Sequence, residues 1–84
     1  MDKKVYLIGK IGDGMFADEA SFYSNDYQGR VLSGFFDNSM IKEGNLEVEV
    51  LSDNSDLALI RPVNGREFFD HRAATVNKSQ LKCF

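Results

Sequence analysis

The sequence predicts an all-β domain, a small antiparallel barrel or sandwich of five to six short strands. Three observations carry this reading. β-Branched and aromatic runs recur along the chain, and Gly, Asn and Asp clusters separate them at roughly the 8–12-residue spacing of such folds. No sustained 3.6-residue apolar period occurs that would make an amphipathic helix. At 84 residues there is room for one domain, covering 1–84, with seven Phe and three Tyr to fill its core.

Residues 5–11 open the chain as a strand interrupted by Gly9 and closed by the turn Gly12-Asp13-Gly14. Residues 15–20 suit one helical turn but are too few for an independent helix. Residues 21–24 form a short strand, and Asn25-Asp26-Tyr27-Gln28-Gly29 reads as a turn. In the next strand, residues 30–36, Gly34 marks a bulge or a close backbone approach. Residues 46–52 are the clearest strand, because Leu46, Val48 and Val50 alternate with Glu47 and Glu49. A polar loop at 52–56 leads to Leu57-Ala58-Leu59-Ile60, a continuous apolar run suited to a strand covered on both faces. Asn64-Gly65 signals a type I′ hairpin turn, from which residues 66–70 are expected to return as the partner strand. Residues 73–81 end in a short 3₁₀ turn and a last strand. The expected core is Val5, Leu7, Leu46, Val48, Val50, Leu59, Ile60, Val76 and Leu81.

The chain also echoes itself. Gly29-Arg30, Phe35-Phe36 and Ser39-Met40-Ile41-Lys42 recur in order as Gly65-Arg66, Phe68-Phe69 and Ser79-Gln80-Leu81-Lys82. Two similar hairpin units would account for this.

The C-terminal third carries a resemblance. Gly65-Arg66-Glu67, Phe68-Phe69 and Lys78-Ser79-Gln80-Leu81 resemble the closing pattern of small SH3-like barrels of the phage- and plasmid-encoded type. The sequence departs from that pattern in lacking a Trp and a Pro before Lys78, and in carrying residues 70–77 between the aromatics and the last motif. The resemblance implies a small SH3-like antiparallel barrel. It transfers no functional residue, since such barrels host unrelated functions.

Composition narrows the function classes. The single cysteine, Cys83, has no partner within the chain, which favours a reducing compartment. The apolar run Val5-Tyr6-Leu7-Ile8 is too short for a signal peptide or a membrane helix, so the expected location is cytoplasmic with no membrane association. Glycines 9, 12 and 14 lack the Lys-Ser/Thr of a phosphate loop, so turn flexibility explains them. No metal-ligand spacing occurs, and 53–56 lacks the ligand count of a calcium loop. His71 and Cys83 assemble no nucleophile–base pattern. The expectation is a protein without enzymatic activity, metal or cofactor.

Charge and aromatics point to binding. The net charge is −3, yet residues 1–60 carry five Lys/Arg against eleven Asp/Glu, while residues 61–84 carry five against two. The basic segment places Arg61, Arg66 and Arg72 around Phe68, Phe69 and His71, and Arg and aromatic side chains are enriched at binding hot spots. These six residues are the candidate partner-binding set. The expected function is a protein-interaction module, an inhibitor or adaptor of phage-like type; the alternative is a single-stranded nucleic-acid binder using Phe stacking and a basic groove.

Overall fold

The computed structural model describes residues 4–14 and 17–84. Strands β1 (Val5–Leu7), β2 (Lys10–Asp13), β3 (Glu19–Asn25) and β4 (Val31–Asp37) lead to a 3₁₀ turn (Asn38–Met40) and β5 (Ile41–Lys42). Strands β6 (Asn45–Asn54), β7 (Leu57–Pro62) and β8 (Ala74–Asn77) lead to a second 3₁₀ turn (Lys78–Gln80) and β9 (Leu81–Cys83). All pairings are antiparallel. The main sheet has six strands in the order β8-β7-β6-β1-β9, with β5 alongside β6, and it curls into a half-barrel. A second sheet of order β2-β3-β4 supplies the opposing layer. The expected all-β fold is therefore what forms, consistent with a small barrel; among the described residues nine strands replace the expected five to six, because the strand expected at 5–11 divides into β1 and β2 and short pairings such as β5 are added.

The core lies between the layers and is built by strand alternation. Phe22, Leu32 and Phe36 point inward from the small sheet, against Leu7, Leu46, Val48, Ala58, Ile60, Ala74 and Val76 of the large one. Met40 from the first 3₁₀ turn and Phe68 from the β7–β8 loop complete it. Phe36 meets Phe22 and Phe68 edge-to-face, with centroids 6.3 and 5.9 Å apart.

The two halves of the chain repeat one another about a pseudo-twofold axis. Leu7 pairs with Leu46 at its centre; Ile41 flanks Leu46, and Leu81 flanks Leu7, in one aliphatic row across β5-β6-β1-β9. Away from the axis the registers coincide as well. Phe22 lies between Ile11 and Gly34, as Ile60 lies between Val50 and Ala74; Ala20 faces Phe36, as Ala58 faces Val76. The Asn38 amide donates to the Asp18 carbonyl at 2.9 Å, and the Lys78 amide to the Asp56 carbonyl at 2.8 Å, at equivalent points. Each half's last strand pairs with the other half's first strand. Lys42 and Lys82, equivalent residues, converge on the Phe84 ring at 4.9 and 5.1 Å.

Several expectations are corrected. Residues 66–70 are not a strand. Asn64 and Gly65 do turn the chain with φ of 62° and 69°, and the Arg66 amide closes the turn on the Val63 carbonyl. The chain then crosses to the other sheet, where burial of Phe68 outweighs hairpin continuation, and β7 pairs with β8 instead. Consequently Phe35-Phe36 is not equivalent to Phe68-Phe69 but to Thr75-Val76. Of the expected helical turn, Glu19 and Ala20 begin β3, while Met15 and Phe16 lie outside the described residues. Val50 is 40% exposed because β6 bulges at Leu51, between the pairs Val50–Ile60 and Ser52–Leu59. Leu59 is half-buried, on the face opposite Ala58 and Ile60; Val5 and Leu81 pack on the core's margin. Gly9 and Gly14 answer to close packing, not to turn flexibility. A Cβ at Gly9 would collide with the Tyr23 carbonyl and the Phe22 ring, and one at Gly14 with the Glu19 backbone.

Candidate binding face

The six residues singled out in the sequence are separated by the fold. Arg61 on β7 donates through Nε to Glu49, its cross-strand partner on β6. Arg66 reaches over to β4: its Nη2 donates to the Phe35 carbonyl at 2.7 Å, and Nη1 lies 3.4 Å from the Asp37 carboxylate. It is thereby a clip between the β7–β8 loop and the small sheet. Phe68, 3% exposed, belongs to the core. His71 is half-buried at the edge of a shallow pocket of about 210 Å³ beside Tyr27, Leu59 and Thr75. Arg72 is exposed, and its Nε lies 3.4 Å from the Glu67 carboxylate. Phe69 alone of the two phenylalanines faces water, at 64% exposure.

Phe69 leads to a surface that the sequence did not single out. Its amide donates to the Ser33 carbonyl at 2.9 Å, and its ring packs edge-to-face on Phe35 at 5.6 Å. Alternation along β3 and β4 puts Tyr23, Val31, Ser33 and Phe35 on the outer face of the small sheet, opposite the inward set. Tyr23 and Val31 are 53% and 62% exposed. Lys10, paired with Tyr23, extends this face onto β2. At its end lies a groove of about 540 Å³ lined by Ile8, Lys10, Tyr23, Val31, Ser79 and Gln80. The Gln80 side chain forms a fixed wall: Nε2 donates to the Asn25 carbonyl at 2.7 Å, and Oε1 accepts from the Asn77 amide at 2.8 Å. Asp26 holds the adjoining turn, its Oδ1 accepting from the Gln28 and Arg30 amides at 2.8 and 2.9 Å.

The internal symmetry supplies a control for this surface. The equivalent outer face on β6-β7-β8 replaces Lys10 and Tyr23 by Glu49 and Arg61, an ion pair, and Phe35 by Thr75. Each edge is covered reciprocally: Tyr27 donates its amide to Thr75 of β8 as Phe69 does to Ser33 of β4. The fold's requirements are met on both sides, but one face carries Tyr23, Val31 and Phe69 together where the other carries Tyr27, the less exposed counterpart of Phe69. No cluster of metal-ligating side chains occurs among the described residues, and no helix among them is long and apolar enough to cross a membrane. The chain matches no protein-family model, no curated protein and no solved structure.

Proposed function

We propose that this chain is a non-enzymatic protein-interaction module that docks a partner on the outer face of the β2-β3-β4 sheet. The observation that carries the reading is the asymmetry of the repeat: one outer face gathers Tyr23, Val31, Phe35 and Phe69, whereas the equivalent face has the Glu49–Arg61 pair and Thr75 with Tyr27 as its exposed aromatic. Large apolar side chains gathered on one exposed face are a mark of interaction sites. Phe69, Tyr23 and Val31 are the contact residues, with Arg72 and His71 at the margin; Arg66 serves by holding the Phe69 loop against β4. An inhibitor or adaptor that works by covering a partner's surface needs no more than such a face.

The single-stranded nucleic-acid reading receives less support, because Arg61, Arg66 and Arg72 each lie beside a carboxylate. The SH3-like reading is supported by the 3₁₀ turn at Lys78–Gln80 and the last strand returning to pair with β1. The free, exposed thiol of Cys83 supports a reducing, cytoplasmic setting. The test is affinity capture from the source lysate with nuclease present, comparing wild type with Phe69→Ser and Tyr23→Ser. Loss of the same captured protein by both variants, with unchanged melting, supports the reading. Capture that both variants retain moves the docking surface elsewhere.

A further inference from the structure

Resting on that docking face, we propose that the groove at its end accepts an extended acidic segment of the partner, in which an apolar side chain is flanked by carboxylates. The groove's floor and wall are apolar: Ile8, Tyr23 and Val31 are 43%, 53% and 62% exposed around it, and together they offer a side chain a place to leave water. Gln80 and Asn25 are already bound to each other, so the wall is pre-organised and loses little freedom when occupied.

The charge comes from what surrounds it. Lys10 lies in the groove and Lys78 directly precedes Ser79 of its lining, while Arg30 lines the neighbouring pocket beside His71. Both lysines are exposed, and neither has an ion-pair partner among the described residues. The neighbouring carboxylate, Asp26, has an oxygen engaged by two backbone amides. A lysine in the groove of a chain of net charge −3 is a local feature, not a reflection of the whole molecule. The repeat sharpens the point. At the equivalent of Lys10 and Tyr23, Glu49 and Arg61 neutralise one another, while Lys10 faces a phenol that leaves its charge free. Carboxylates of a partner complete that pairing, giving charge-assisted hydrogen bonds that select sign as well as shape.

The test uses the full chain and fluorescence anisotropy with three labelled synthetic peptides, alternating Glu with Leu, Lys with Leu, and Glu with Ser. The Glu/Leu peptide is expected to bind at least about 10-fold more tightly than either control at low salt, and to weaken as salt screens the pairing. Lys10→Glu and, independently, Lys78→Glu are expected to cut its affinity several-fold without moving the melting curve. Equal binding of the Lys/Leu peptide overturns the acidic preference. Insensitivity to Lys10→Glu and Tyr23→Ser overturns the location, and tighter binding of an oligo-dT strand overturns the protein occupant. Should the Glu/Leu peptide fail while Phe69→Ser and Tyr23→Ser still abolish partner capture, the acidic segment is refuted and the docking face stands. If capture also survives both variants, both readings fall.

Discussion

Phe68 and Phe69 are adjacent in one loop and lie in opposite environments. Phe68 is 3% exposed and packs edge-to-face on Phe36 at 5.9 Å, whereas Phe69 is 64% exposed on Phe35. Removing the Phe68 ring forfeits about 1.5–3 kcal/mol of burial and about 0.5–1.5 kcal/mol of ring contact. Adding the cavity left behind puts Phe68→Ala at about 3–5 kcal/mol. A chain of 84 residues has a total stability of about 4–13 kcal/mol at ordinary per-residue values, so this change removes a large share of it. In urea denaturation followed by circular dichroism, a slope near 1 kcal/mol/M lowers the midpoint by about 3 M or more. Phe69→Ala loses one exposed ring contact, is expected to cost under about 1 kcal/mol, and should abolish partner capture. Equal midpoint losses for the two variants, or a Phe68→Ala loss below about 1 kcal/mol, would refute the division of roles.

Arg66→Met should destabilise by about 1–3 kcal/mol, because the Phe35 carbonyl loses a charged donor and the Phe69 loop its clip; thermal melting reads it directly. Arg72→Glu, by contrast, should stay within about 0.5 kcal/mol of wild type in the same assay, since its side chain is 91% exposed. Gly9→Val should prevent stable folding, the Tyr23 carbonyl and Phe22 ring leaving no room, while Gly29→Ala, at φ 85° with open space around it, should cost only about 1–2 kcal/mol. The repeat makes a circular permutant feasible: Cys83 lies beside Val5, so joining Phe84 to Lys4 with a short Gly linker and opening the chain between Glu43 and Gly44 should preserve cooperative unfolding by circular dichroism. A molten spectrum would argue against the equivalence of the two halves.

Local chemistry made much of the fold legible. Alternation at Leu46, Glu47 and Val48, the glycines and Asx residues of the turns, and the Ser-Gln-Leu-Lys ending each express a preference of a few neighbouring residues, and the strand and turns there, with the 3₁₀ turn at Lys78–Gln80, formed accordingly. The echo between residues 39–42 and 79–82 likewise needed only the sequence, whereas the match of Phe35-Phe36 to Phe68-Phe69 did not survive the strand registers. Other outcomes depended on what lies across the core. Asn64-Gly65 turned as its φ preferences demand, but whether the chain then paired with β7 was decided by the space that Phe68 fills beside Phe36. Gly9 reads as flexibility until the approach of β3 makes it a steric necessity. The same holds for the proposed docking face. Arg66 and Phe69 stood in the sequence as equal members of a basic, aromatic segment, and only the packing of that loop on β4 committed one to a carbonyl and left the other in water. Tyr23, Val31 and Lys10, scattered over three strands, became one surface because antiparallel pairing brings distant residues into adjacent rows, a relation that no local pattern encodes.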